Sequence, residues 1–408
     1  MAEFILDDPS WGMALFLAMI VIAILGVIAV LAVRKPVFFK MSLRNAFRRR
    51  SQTTVVVLGL MVGTAILSAS FVASDSMEYW IVEDVYTQYY LVDEWIGAEA
   101  SGTFDYSVYE ALAADEDVQA ITDGLSPVIV LWGTSINNLA DGQTETGIDL
   151  HGVDLDKDRD FGTFETKAGK EVTGSSLGSF EAVVTETLAK SARLDVGDSL
   201  MVFYVPPMPA NATSVPTDQG PAGDEASDGG SEIHFTTLTV KYIVKEEGKA
   251  SLNDGRNVYV SLDTAQQIIG APGAINAIKV SNNGGVVEGA KHSDDAVETL
   301  ETTLSDVAPA VGMTADQFSV DPGKQNGVKS AEDASAEIGN LLLLASSFTV
   351  VAGTLLIINI FTMLAEERKK ELGISRAIGM RRSSLVQTFT FEGVIYSLIA
   401  ATLGTVIG

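Results

Sequence analysis

Four long apolar runs constrain the fold of this chain more than any other feature. The first three contain no charged residue, and the fourth contains one, Glu392. A helix rises about 1.5 Å per residue, so about 20 residues cross the apolar core of a bilayer. Each run is therefore long enough to form a membrane-spanning helix. The runs are residues 12–33, 53–73, 341–364 and 385–408.

The charged residues are distributed so unevenly that they predict a topology. The net charge is −26, and residues 74–340 hold 46 of the 53 acidic residues but only 14 of the 27 basic ones. Residues 34–52 and 365–384 are rich in Lys and Arg. Because such segments are retained in the cytoplasm, both are predicted to lie inside. Residues 1–11 and the acidic segment then lie outside, in a multi-pass protein of the cell (cytoplasmic) membrane.

The first basic segment, residues 34–52, fits two interpretations. Leu43, Ala46 and Phe47 recur at the spacing of one helix face, with basic residues around them. This spacing is typical of a short amphipathic helix on the inner membrane surface. A plain basic stop segment fits the periodicity equally well.

The acidic segment, residues 74–340, is long enough to bury a core of its own. It mixes strand-like and helix-like stretches, which predicts an α+β extracytoplasmic domain between spans 2 and 3. Residues 206–232 are rich in Pro, Gly, Ser and Asp, and this composition is typical of a flexible loop. The strand-like stretches are 127–132, 199–205, 238–244 and 257–262, and the helix-like ones are 107–117, 185–193, 263–269 and 293–307.

Several kinds of chemistry have no motif in the sequence. The chain has no cysteine, no Gly-Lys followed by Ser or Thr as a phosphate-binding loop requires, and no nucleophile–base set. The acidity argues against nucleic-acid binding, since phosphate backbones need basic surfaces. We therefore predict a protein that is not an enzyme, with no catalytic, cofactor-binding or metal-binding residues.

One acidic stretch has calcium-loop spacing. Asp154, Asp156, Asp158 and Glu165 fall at positions 1, 3, 5 and 12 of such a loop. Position 6 should be Gly but is Arg159. A solvated acidic loop is therefore the favoured interpretation.

The second basic segment, residues 365–384, reads as a short charged helix between two membrane spans. Ile374, Ala377 and Ile378 form a small apolar face, and the glycines at 373 and 379 leave room for another surface to approach. Such a cytoplasmic segment suits either a docking element for a partner or a plain topological anchor, and the residues alone do not choose between them.

Residues 366–408 resemble the FtsX-like permease domain of ABC transporters, including MacB-type and lipoprotein-release permeases. The resemblance rests on Glu367-Arg368, Glu371, Gly373, Arg376-Ala377-Ile378-Gly379, Glu392, Gly404 and Gly408. The stretches 182–200, 240–244 and 257–270 are similar to the extracytoplasmic core domain of MacB-type permeases, and Leu43-Arg44-Asn45 to the family's entry segment.

The resemblance implies that residues 365–384 are a coupling hairpin that docks on a cytoplasmic ABC ATPase subunit. Its coupling residues would be Glu371, Gly373, Arg376, Ala377 and Gly379. ATP would be bound by that partner, so this chain would need no cofactor of its own. A second permease chain and membrane lipids are the other expected partners.

The implied function is a permease subunit that passes ATP-driven motion to an extracytoplasmic domain acting on lipoproteins, lipids or peptides. The alternative is an FtsX-like membrane regulator or scaffold without transport. Two departures from the family pattern stand out. Residues 12–33 form an added span, and residues 341–408 supply only part of the permease domain, so the chain is expected to be truncated.

Overall fold

The structure is a computed structural model. It describes residues 19, 22–23, 26–48, 50–98, 102–208, 233–367 and 369–408. Half of the first predicted span (12–33), all of residues 1–11, most of the predicted loop 206–232 and Arg368 lie outside the described residues. The chain divides into two compact units, each considered separately below. One comprises Met1–Met77 with Ser335–Gly408, and the other Glu78–Ala334.

The helices and strands are numbered in chain order. The helices are α1 (Pro36–Arg48), α2 (Arg50–Tyr89), α3 (Ser107–Ala114), α4 (Glu116–Ile121), α5 (Glu186–Ser191), α6 (Leu262–Ile269), α7 (Gly285–Glu288), α8 (Ser293–Val307), α9 (Gly323–Glu367), α10 (Lys369–Ala377) and α11 (Arg382–Ile407). The strands are β1 (Glu94–Ala98), β2 (Phe104–Asp105), β3 (Thr122–Asn138), β4 (Thr144–Val153), β5 (Phe164–Glu165), β6 (Glu171–Val172), β7 (Glu181–Thr185), β8 (Ser199–Tyr204), β9 (His234–Val244), β10 (Asn257–Ser261), β11 (Ala274–Ile275), β12 (Ala277–Asn282) and β13 (Phe318–Asp321).

Three helices of the described chain are long and apolar enough to cross a membrane. They are α2, α9 and α11, with candidate spans at Thr53–Tyr89, Gly323–Leu355 and Arg382–Ile407. These helices include most of the second, third and fourth apolar runs, and they support a membrane protein. Helices α2 and α9 also extend well beyond their apolar runs, to Tyr89 and from Gly323, as expected for helical stalks.

Helix α1 forms where the amphipathic interpretation predicts one, and it packs against α11. Ser42 Oγ donates a hydrogen bond to the carbonyl of Thr388 (2.9 Å). The rings of Phe39 and Phe391 meet edge to face, with centroids 5.7 Å apart. The opposite side of α1 is polar and exposed at Lys40 and Arg44. A position at a membrane surface remains a prediction.

Helices α2 and α11 approach closely because small residues lie between them. A Cβ on Gly404 would lie 1.8 Å from Thr64 Oγ1, and one on Gly408 would lie 2.1 Å from the carbonyl oxygen of Ala65. Thr64 Oγ1 also lies within hydrogen-bonding distance of the Ala400 carbonyl (3.2 Å). Small residues of this kind permit close helix packing in membranes.

The unit Glu78–Ala334 is built on a nine-stranded mixed sheet, in the order β13-β1-β12-β3-β4-β10-β7-β9-β8. Strand β3 is 17 residues long, and its register shifts between Leu131 and Thr134. Its last four residues, from Ser135 to Asn138, pair with β8, and the first three of them also pair with β4. This extra pairing closes β3, β4, β10, β7, β9 and β8 into a ring.

Alternate residues of β3 enter two apolar clusters. Ile129 and Leu131 belong to the larger cluster, whereas Val128 and Val130 belong to the smaller one. Because side chains alternate across a strand, a continuously apolar stretch indicates burial on both faces. Interspersed strands and helices agree with the predicted α+β domain. The predicted helix 107–117 is divided at Asp115, whose carboxylate caps α4.

Candidate functional site

The predicted coupling hairpin is a short helix, α10, followed by a glycine turn. Ile378 N–H donates to the Ile374 carbonyl, Gly379 N–H to Arg376, and Met380 N–H to Ser375. These bonds satisfy carbonyl groups that a helix end otherwise leaves unpaired. Arg381 then has extended backbone and begins α11.

The apolar side chains of this hairpin are exposed. Ile374 is 61% exposed and Ile378 is 82% exposed. Ala377 and Arg376 are also exposed. The structure therefore brings four of the five predicted coupling residues, Gly373, Arg376, Ala377 and Gly379, onto one accessible segment. The backbone of Glu371 lies on α10, but its side chain is outside the described part of the structure.

The two glycines of the hairpin lie in different structural environments. Gly379 has a φ of +105°, a conformation that strongly favours glycine. Gly373 lies within α10, and a Cβ there would meet no heavy atom within 4 Å. Glycine inside a helix costs about 0.5–1 kcal/mol relative to alanine. Packing within the described chain therefore does not require Gly373.

The electrostatic character of the hairpin is basic. Lys369, Lys370, Arg376, Arg381 and Arg382 lie within 14 residues and all are exposed. Together with the exposed isoleucines, they offer a cationic surface with an apolar centre. Such a surface can bind a partner by burying apolar area and by pairing with carboxylates.

The favoured interpretation of residues 154–165 as a solvated acidic loop is wrong at Asp158, which belongs to a buried ion-pair cluster that the sequence did not reveal. Asp158 is fully buried; Lys249 Nζ lies 2.8 Å from its Oδ2, and Lys279 pairs with its Oδ1. Burial alone would raise the pKa of Asp158, but the two lysines lower it to about 2. No group of acidic or histidine side chains in the described residues is arranged to hold a metal ion.

A second buried polar cluster was also missed. Asp93 and Lys324 are both fully buried, with Asp93 Oδ1 2.7 Å from Lys324 Nζ. Glu94 is buried beside them, and burial raises its pKa to about 7. Pairs so distant along the chain leave no local sequence signal. The available signal was the apolar residues on both sides of Asp93 and Glu94, which indicate a buried segment.

Comparison with known proteins shows which family the segment containing the hairpin resembles. Residues 343–408 match the family described as FtsX-like permease C-terminal. This segment includes the last part of α9 and all of α10 and α11. The resemblance to FtsX-like permeases is confirmed.

Curated relatives agree with this FtsX-like segment. The chain is 24% identical over 243 residues to the "Uncharacterized ABC transporter permease YclI" of Bacillus subtilis, covering 59% of this chain and 44% of YclI. It is 34% identical over 76 residues to "Macrolide export ATP-binding/permease protein MacB" of Escherichia coli, covering 19% of this chain and 12% of MacB. The chain thus spans less than half the length of either relative.

One solved structure is also similar, the periplasmic region of MacB from Actinobacillus actinomycetemcomitans. The match has 13% sequence identity and a TM-score of 0.33, and it covers 57% of this chain and 90% of that one.

Proposed function

We propose that this chain is the permease subunit of an ABC transporter and that its coupling hairpin, residues 365–384, docks on a separate cytoplasmic ATPase. The observation that carries the proposal is the exposure of Ile374 and Ile378 beside Arg376, in a segment that matches FtsX-like permeases. Exposed isoleucines in a charged loop gain stability when a partner covers them.

The proposed topology places both basic segments, 34–52 and 365–384, in the cytoplasm and the acidic unit outside. The asymmetry of Lys and Arg supports this orientation. ATP-driven closure of the ATPase would push on the hairpin. Helices α2 and α9 each extend from an apolar run into Glu78–Ala334, so they provide continuous paths for that motion.

The energy source is proposed to be external, because the sequence has no phosphate-binding loop. The relative YclI is named as an ABC transporter permease and MacB as an ATP-binding/permease protein. We propose that two permease chains pair around two ATPase chains. We further propose that the outer domain acts on lipoproteins, lipids or peptides.

Co-purification tests the proposal. The tagged full chain, purified from native membranes, should carry an ABC ATPase that hydrolyses ATP. Ile374→Asp should reduce its recovery at least about tenfold, since a buried carboxylate without a partner costs several kcal/mol. The matched control is Val196→Asp, because Val196 is also exposed (63%) but lies in the other unit. Equal recovery with both variants, or no ATPase with the wild type, would contradict the proposal.

Gly373 provides a second variant. Gly373→Leu should leave the folded chain unchanged, since the position faces open space, and it should still abolish ATPase recovery by blocking close approach. Gly379→Leu is the comparison, because a side chain at positive φ strains the turn by about 1–2 kcal/mol. Normal ATPase recovery with Gly373→Leu would show that Gly373 is not part of the docking surface.

A further inference from the structure

Asp93, Glu94 and Lys324 form a buried cluster in the unit Glu78–Ala334, close to the ends of two long helices. Asp93 follows α2 by four residues, and Lys324 is the second residue of α9. Lys324 Nζ lies 2.7 Å from Asp93 Oδ1, and both side chains have no exposed surface. The amine and a carboxyl group are therefore in contact and shielded from solvent.

Hydrogen bonds hold both groups of this pair in position. The backbone N–H of Asn282 donates to Asp93 Oδ2 (2.8 Å), and Asn282 Nδ2 donates to Glu94 Oε1 (2.8 Å). Lys324 Nζ also donates to the carbonyl of Val286 (3.2 Å). Ser293 of α8 and Asp123 of β3 complete the polar groups that act on Asp93 or Glu94.

The charges of the cluster do not balance if every group is ionised. Two carboxylates and one ammonium would leave a buried net charge of −1, which is costly in an apolar interior. A bound proton removes that charge. Burial accordingly raises the pKa values of Asp93 and Glu94 and lowers that of Lys324. With that proton on Glu94, Lys324 and Asp93 share one more proton across their 2.7 Å contact, and in an apolar interior the neutral amine and carboxylic acid avoid the desolvation cost of the ion pair.

The cluster at Asp158 shows the opposite arrangement. There one carboxylate is shared by Lys249 and Lys279, which hold it in the ionised form. An ionised carboxylate resists attack by an amine, and no second carboxyl group contacts this pair among the described residues. The Asp158 cluster is therefore a natural internal control.

We propose that Lys324 and Asp93 condense to form an intramolecular amide bond, with Glu94 as the proton carrier. The lone pair of neutral Lys324 Nζ attacks Cγ of protonated Asp93. Negative charge develops on Oδ2, where the Asn282 N–H stabilises it. Glu94, which carries the bound proton, gives it to the Oδ1 hydroxyl, and the hydroxyl leaves as water when the Cγ–Oδ1 bond breaks. The Glu94 carboxyl group takes one proton from Nζ in exchange. The products are one amide and one water molecule.

The burial of the cluster is the reason that this amide would persist. In water, hydrolysis of such a bond is favoured because the released carboxylate and ammonium are strongly hydrated. A buried pair lacks most of that hydration energy. An uncharged amide also removes the desolvation cost that the ion pair carries.

The bond would join the chain after α2 directly to the start of α9. The two attachment points of the domain would then be covalently fastened, independently of the packing between them. A force applied to either helix would reach the same covalent junction, so the junction could not open under load.

Mass spectrometry of the full chain tests the proposal. The intact denatured protein should be lighter than its sequence by the mass of one water molecule. Proteolysis should yield a branched peptide that contains Asp93 and Lys324, and no cleavage after Lys324 by trypsin. Peptides with Asp158, Lys249 and Lys279 should remain separate. An unmodified intact mass, with unlinked Asp93 and Lys324 peptides, would overturn the proposal.

Three variants test the role of each group in the proposed amide formation. Lys324→Arg should restore the full mass, since it keeps the charge but removes the amine. Asp93→Asn should give the same linked product as the wild type, because ammonia leaves instead of water. Glu94→Gln should leave most molecules unlinked, and complete linkage in that variant would overturn the role of Glu94. None of these outcomes depends on ATPase recruitment.

Discussion

At the scale of single residues, burial decides which polar groups can act and which are structural. His151 is fully buried, with its ring stacked on Tyr259 (centroids 5.1 Å apart) and its Nε2 3.3 Å from Asn257 Oδ1. Burial, aided by the nearby Lys279, lowers the pKa of His151 to about 3. This histidine is therefore a neutral core residue. His234 and His292 are exposed.

The buried histidine predicts a pH dependence of stability. The pKa of His151 is about 3 in the folded state and near 6.5 when unfolded, so the unfolded state gains a proton as pH falls below 6.5. Between pH 6.5 and 4.5 this protonation should cost the folded state about 2–3 kcal/mol relative to a variant without the histidine, while the raised pKa of Glu94 acts in the opposite sense in both proteins. Thermal unfolding, followed by tryptophan fluorescence, should show a smaller decrease for His151→Gln. His234→Gln should behave like the wild type; a steeper decrease for His151→Gln would contradict this assignment.

At the scale of helices, glycine has at least two separate roles in this chain. Gly404 allows α2 and α11 to touch, whereas Gly353 on α9 has no heavy atom within 4 Å of its missing Cβ. The family resemblance singled out Gly404 and Gly408 without a reason for them. The contacts with Thr64 and Ala65 now supply one.

Substitution of these glycines by leucine should distinguish the effect of helix packing on stability from the effect of helix propensity. Gly404→Leu should destabilise the detergent-solubilised protein by at least about 1–3 kcal/mol, because the side chain must displace Thr64. Gly353→Leu, in a helix of similar apolarity, should be neutral or stabilising. Thermal unfolding in detergent measures both. Equal behaviour of the two variants would show that α2 and α11 do not pack as described.

At the scale of the whole chain, charge and apolarity are segregated into different segments. The acidic residues concentrate in 74–340, and the basic residues concentrate beside the apolar runs. Half of the first of the four predicted spans lies outside the described residues, while α2, α9 and α11 are candidate spans. The orientation of these helices in the membrane remains a prediction from the Lys and Arg distribution.

Cysteine labelling tests the orientation directly, since the chain contains no cysteine. Lys370→Cys should be protected from a membrane-impermeant thiol reagent in intact cells and react after lysis. Val196→Cys should react in intact cells, because this side chain is 63% exposed in the acidic unit. The reverse pattern would invert the topology and place the hairpin outside, where no cytoplasmic ATPase could bind it.

The local sequence pattern was sufficient to predict much of the architecture. Apolar length identified three helices that the structure contains, and the predicted strand-like stretches 199–205 and 238–244 fall on β8 and β9. The predicted helix 293–307 coincides with α8. The apolar face of the second basic segment, at Ile374, Ala377 and Ile378, was also visible from local pattern, and the structure exposes it. The coupling residues themselves came from the family resemblance and remain a prediction.

What local pattern could not determine was the pairing of buried charges. Asp158 was read as part of a solvated acidic loop, yet it pairs with Lys279, 121 residues away. Lys324 gave no sign of its contact with Asp93. Periodicity along a chain reports which side of a helix or strand is buried. The partner of a buried charge depends on strand order and register, which only the tertiary structure decides.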